Sequence, residues 1–231
     1  MAHGDAAMNK FALILTLTML MSGCSTANSR SMPYNAWRLG FSAPDYMEVW
    51  IETADVFDGS GLVYVRAGSG TPSMMFPRPL SKGVPEVFKG DPKGWPEKPG
   101  WGAGKYVKGA DLPTKIYVRW QSLVEPQTYH TRIDIPESTR EIMRKQENAF
   151  CYLTGKEEIQ YRKAIVIGLA PGGIAKVWVT GPCLTPIEVT RVQAKVDPVG
   201  PNDGESNGEY DPPSAESQAY IEKFGIPYGS W

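Results

Sequence analysis

The chain is short of the side chains on which most enzymes depend. Among 231 residues there are two histidines and three cysteines. Neither HExxH nor CxxC occurs, so a zinc hydrolase and a dithiol redox site both lack their central parts. Charge of one sign is missing as well: 24 basic residues face 25 acidic ones, a net charge of −1. A nucleic-acid binder needs a basic patch that releases counterions from phosphates, and the sequence offers none. Long apolar runs are also lacking. The segment from Phe11 to Met21 falls far below the ~20 residues needed to span a bilayer as a helix.

That short run has a different use. Lys10 precedes it and Ser22-Gly23 follows it, the layout of a secretory signal. Met8 makes a tidier start than Met1, whose extension carries Asp5. The tail "MSGC" resembles the bacterial lipobox, in which the cysteine takes a diacylglyceryl group before cleavage and becomes the first residue of a lipoprotein. The expected organisation is a signal peptide over 1–23, a lipid-anchored tether over 24–33 and a single β-rich domain over 34–231. Cys24 is then the lipid attachment site and its covalent lipid the one expected cofactor, with no metal. Ser25 in the following position resembles the outer-membrane sorting choice, which gives an outer-membrane lipoprotein facing the periplasm. Loss of Lys10 and Asp5 leaves the net charge unchanged. Cys151 and Cys183 remain, either as a disulfide or as two buried thiols. A bridge would close a loop of about 30 residues and add roughly 3 kcal/mol in the chain-entropy picture.

Alternation of apolar and polar residues predicts strands at "YMEVWIETA", "KIYVRWQ" and "TYHTRIDI". Further strands are expected at Leu62 to Arg66, Ala164 to Leu169, Ala175 to Val179 and Glu188 to Val196. "APGG" at Ala170 to Gly173 marks a tight turn between two of them. Three helices are expected: "PESTREIMRKQ" with Ser138 and Glu141 at capping-box spacing, "TGKEEIQYRK" with Thr154 and Glu157 at the same spacing, and a C-terminal helix over 214–224 between Ser214 and Gly225. The fold class is therefore mainly β, an antiparallel sheet or two-sheet β-sandwich with a few short peripheral helices. Trp37, Trp50, Trp120, Trp178 and Trp231 are assigned largely to packing, with Trp50 and Trp178 on the less apolar faces of their strands.

The chemistry that remains is ambiguous. His130 lies on the polar face of its strand and reads as an exposed histidine. Asp134, two same-face steps away at roughly 13 Å, is too distant to orient it. "GWGAGKY" fails as a phosphate loop, with Pro99 at the first glycine and Tyr106 at the magnesium-binding hydroxyl. Asp203, Glu205, Asn207 and Gly208 alternate as in a calcium loop, but Ser214 stands where the bidentate Glu belongs, so 203–211 reads as a solvated acidic loop. The stretch 68–113 is dense in Gly, Pro, Trp and Lys and shows no evident secondary structure, which in a compact domain points to function or disorder. Trp95, Trp101, Lys105 and Tyr106 in it are candidate partner-binding residues. Amphipathic rings beside lysines suit an interface centre, or they fold back onto the sheet as a lid.

Five segments, "MPYNAWRLGFSAP", "YMEVWIETADVFD", "LPTKIYVRWQSLVEPQTY", "AIVIGLAPGGIAKVWV" and "AYIEKFGIPYGSW", together resemble a proteobacterial lipoprotein family known as a domain of unknown function. The likeness runs from about Met32 to Trp231 and is weaker over 68–113 and 197–213. Members of that family often lie beside phospholipase effectors of type VI secretion systems. The resemblance implies an immunity protein, a periplasmic inhibitor whose partner is a secreted lipase toxin, and it supplies no catalytic residues. An envelope scaffold or ligand-binding lipoprotein without a toxin partner is the alternative.

Overall fold

A computed structural model describes residues 32–73 and 90–231. Cys24, the expected signal peptide and most of the expected tether lie outside the described residues, as does part of the 68–113 stretch. Two sheets face each other. The first has the order β12-β11-β10-β1-β5 and the second β13-β7-β6-β2-β3, with β4 also paired to β2. In the first sheet β1 is Ala36–Ser42, β5 Ala103–Lys108, β10 Ala164–Ala170, β11 Ile174–Thr180 and β12 Ile187–Gln193. In the second, β2 is Val49–Asp58, β3 Val63–Tyr64, β4 Thr71–Ser73, β6 Pro113–Ser122, β7 Gln127–Asp134 and β13 Lys195–Val196. A separate two-stranded hairpin joins β8 (Gln146–Cys151) to β9 (Lys156–Tyr161), and the helices are α1 (Glu137–Arg144) and α2 (Ala215–Phe224).

Period-two alternation explains how the sheets close on one another. Trp37, Leu39 and Phe41 of β1, Ile165 and Ile167 of β10 and Val177 and Val179 of β11 point inward from the first sheet and are fully buried. They meet Ile51 and Val56 of β2, Ile116, Val118 and Trp120 of β6 and Ile133 of β7 in one apolar cluster. At about 25 cal/mol per Å² of apolar surface removed from water, this layer is the main source of stability. The expected mainly β, two-sheet architecture is what the chain adopts. β1 runs parallel to β10, so the first sheet is mixed. The chain between those two strands builds all of the second sheet except β13, together with β5 and the β8–β9 hairpin, and that long excursion makes a parallel pairing possible.

The "APGG" hairpin joins β10 to β11 in antiparallel register, with Gly172 at φ 74 supplying the left-handed turn. The C-terminal helix also follows its signals, since the Ser214 hydroxyl accepts from the Ser217 N–H at 3.2 Å and Gly225 sits at the C-cap with φ 72. Its docking depends on a residue far upstream. The buried carboxylate of Glu48 accepts from the Ser214 N–H at 2.8 Å and from the Ser217 hydroxyl at 2.9 Å.

Three expectations need correction. "TGKEEIQYRK" is not a helix: Lys156–Tyr161 is β9, hydrogen-bonded along its length to β8, so cross-strand pairing overrides the helical leaning of "KEE". In α1 the first cap is Pro136 with no side-chain cap bond, because Ser138 already lies inside the helix, so the Ser138–Glu141 capping box does not form. The 68–113 stretch is not without secondary structure, since it contains β4 and β5. β5 escaped notice because glycine breaks its alternation. Gly104 faces Gly40 in register, and a side-chain carbon at either position would collide with neighbouring backbone.

Candidate interaction surface

The four residues chosen from the 68–113 stretch separate into distinct places. Trp95 is edge-on to Trp178 with ring centroids 5.3 Å apart, and a side-chain carbon on Gly168 would collide with both rings. It packs against a second apolar cluster that includes Tyr46, Met47, Ala170 and Trp231, so it acts as a lid over the sheet. The Trp231 indole donates to the Pro92 carbonyl at 2.7 Å and fastens the same loop to the C-terminus. Trp101 is half-buried at the rim of a groove, its carbonyl held by the Arg38 guanidinium, which also donates to the Gly102 carbonyl at 2.9 Å. Lys105 lines a different recess, and Tyr106 is 55 % exposed on the edge strand β5.

The groove beside Trp101 holds about 580 Å³ and is completed by Lys98, Thr180, Leu184, Pro186 and the tip of the β8–β9 hairpin. Two fastenings set that hairpin. Near its tip, Cys151 is bonded to Cys183 with Cα atoms 5.0 Å apart. Near its base, the buried Arg162 guanidinium grips both oxygens of Glu147 at 2.7 and 3.2 Å and donates to the Thr185 carbonyl. The Cys151 carbonyl accepts the N–H groups of Thr154 and Gly155, with Gly155 at φ 67, and this turns the chain tightly. The residues at that turn are thrust outward: Tyr152 is 90 % exposed and Leu153 96 % exposed. Phe150, T-shaped against Tyr152 at 5.1 Å, and Ile159 extend the apolar face.

Sequence reasoning missed this tip because it read the following residues as a helix. The signal was present nonetheless: two adjacent large apolar residues between Cys151 and the turn-forming Thr154-Gly155 have no inward-facing position to occupy. A single exposed Leu needs no explanation, but an aromatic-aliphatic cluster on a fastened hairpin beside a groove is characteristic of an interaction surface.

His130 is the other departure. It is not simply exposed, since its Nδ1 lies 3.0 Å from Asp197 Oδ2, a partner contributed by the chain just after β13 rather than by its own strand. The same Asp197 oxygen accepts from Arg119 Nε at 2.8 Å. Arg119 also binds Glu52 and the Gly200 carbonyl and lies 3.0 Å from Asp203. Burial alone would raise the Asp197 carboxyl, but hydrogen bonds from His130, Arg119 and the Val199 N–H outweigh it and hold it at about 2. Burial would likewise lower Arg119, and the surrounding carboxylates carry it upward instead. The expected solvated loop over 203–211 is thereby tied at its start to β6. "GESNG", from Gly204 to Gly208, has the spacing of a nucleophile elbow but not its setting between strand and helix. The Ser206 hydroxyl donates to the Pro201 carbonyl at 3.1 Å.

Comparison with known sequences places this architecture in a family. The model described as "Protein of unknown function (DUF2931)" matches residues 25–229. The chain belongs to this family. No curated protein and no solved structure matches the chain. Among the described residues no helix is long and apolar enough to cross a membrane.

Proposed function

We propose that this chain is an outer-membrane lipoprotein, anchored through Cys24 and facing the periplasm, that works by gripping another protein. Its client in this reading is a secreted lipase of the type VI secretion class, which it binds and inhibits as an immunity protein. The observation that carries the protein-binding reading is the pair Tyr152 and Leu153, held almost wholly in solvent on a hairpin that a disulfide and a half-buried ion pair fasten in place. A rigid aromatic-aliphatic anchor loses little conformational freedom on binding, and residues of this kind dominate interface energetics. Trp101 and Lys98 across the groove add a second ring and a charge to the same face. The client class comes from the family resemblance. The test is a pull-down with the product of the adjacent gene: wild type retains it in a one-to-one complex and suppresses lipid hydrolysis by it, and failure to bind removes the immunity role.

A ligand-binding envelope lipoprotein is the second reading, and one observation favours it. The polar recess at Lys105 is separate from the groove and lined mainly by charged and polar side chains.

A further inference from the structure

That recess, of about 500 Å³, lies among Glu52, Thr53, Arg66, Ser69, Lys105 and Asp203. Its volume falls in the range of small-molecule sites, roughly 300–1,000 Å³. The charges that line it are of two kinds. Arg66 and Lys105 bring cations, and among the described residues neither forms an ion pair with a carboxylate. Lys105 Nζ donates to the Ser69 carbonyl at 3.3 Å, which leaves donors of its ammonium for a ligand. Arg66 is held in left-handed backbone, φ 57, by its N–H bond to Asp55 Oδ1 at 2.8 Å. Strained backbone persists where surrounding structure over-determines it, and clamps for ligands are one such place.

The acidic component has a different composition. Both Glu52 oxygens are already engaged: Oε2 faces Arg119, and Oε1 accepts from Gln121 at 2.6 Å and from the Asn202 N–H at 2.7 Å. Asp203 is the carboxylate that faces outward, 85 % exposed, with Arg119 at 3.0 Å. Two carboxylates of the recess, Glu52 and Asp203, share the single Arg119 guanidinium, which Asp197 also binds from outside the recess, so this part of the recess keeps a negative excess. A bare anion drawn to Arg66 and Lys105 would meet that excess, and a bare cation would meet the two free positive groups. A ligand carrying both charges satisfies each.

We infer that the recess binds an aminoalkyl phosphate. The phosphate oxygens take Arg66 and Lys105, and the ammonium group lies against Asp203. Such a zwitterion occurs as the headgroup of a membrane phospholipid and as a free soluble phosphodiester. The inference stands independently of the partner-binding surface and does not require the immunity role.

Calorimetric titration of the full chain in nonionic detergent tests it with three probes: glycerophosphoethanolamine, inorganic phosphate and ethanolamine. The expected result is saturable binding of the zwitterion, about tenfold or more tighter than either half alone. Lys105→Ala and Arg66→Ala each weaken it by about tenfold with unchanged melting temperature, and Asp203→Asn weakens the zwitterion without weakening phosphate. The same titration in lipid nanodiscs separates the sources. If the membrane headgroup fills the site, glycerophosphoethanolamine no longer titrates in phosphatidylethanolamine discs but still does in phosphatidylglycerol discs. Equal titration in both assigns a soluble ligand. No saturable binding of the zwitterion, equal affinity for phosphate alone, or wild-type affinity in the folded Lys105→Ala variant overturns the inference.

Discussion

Trp95, on a glycine- and proline-rich loop, sits edge-on to Trp178 of the interior strand β11, ring centroids 5.3 Å apart. The contact turns a segment with little periodicity into a cover for a strand face that carries a large ring outward, away from the inter-sheet core. Edge-to-face packing of this kind adds roughly 0.5–1.5 kcal/mol beyond the area it buries.

Trp95→Ala is expected to lower stability by about 2–3 kcal/mol, mainly through the cavity opened over Gly168 and Trp178. Thermal melting measures this. Partner binding by the folded fraction should be unchanged, since Trp95 covers the sheet. Unchanged melting with lost binding would reassign Trp95 to the interface.

Removing the bridge between Cys151 and Cys183, with both residues changed to Ser, should cost about 3–4 kcal/mol, because the bridge spans 32 residues of sequence. Thiol titration of the unreduced, denatured protein should find neither cysteine free. Two titratable thiols at these positions would remove the fastening on which the hairpin argument rests.

Acid stability should report on Asp197. Its folded pKa is about 2 against an ordinary 3.8, so the folded state binds this proton more weakly than the unfolded state does. The stability it confers is complete above about pH 5 and drains away as pH falls through ~3.8 toward 2. Asp197→Asn should therefore melt lower than wild type at pH 7, with the gap narrowing as the medium is acidified over that window. A constant gap from pH 7 to pH 2 would contradict the assignment.

Most of the sandwich was legible because its strands alternate. β6 and β7 place Ile116, Val118, Trp120 and Ile133 inward at period two, a pattern that needs no tertiary information, whereas in β2 a register shift between Ile51 and Thr53 moves the inward set from Val49 and Ile51 to Ala54 and Val56. β9 was not legible, because "KEEIQY" carries a helical leaning that only pairing with β8 overturns. The site was less visible still. Trp101 lines the groove as its sequence setting suggests, whereas Tyr152 and Leu153, adjacent apolar residues before a turn, show their direction only in the structure, where the turn after Cys151 throws them outward. Asp197 could not be matched to His130 from sequence, since the pairing spans 67 residues and two separate strands.

The anchor can be checked separately from the fold. Cys24→Ala should abolish incorporation of labelled palmitate and leave the precursor with its signal attached. Palmitate still incorporated by the variant would place the lipid elsewhere.

Leu153→Asp probes whether the fastened hairpin tip grips a lipase partner. The residue is 96 % exposed, so the fold should tolerate the change and the melting temperature should hold within about 1 °C. Affinity for the proposed lipase partner, measured by calorimetry on the same preparation, should fall by about 30-fold or more, the loss of an interface anchor worth ~2 kcal/mol, and inhibition should fall with it. Wild-type affinity in a variant that melts as wild type would contradict the account.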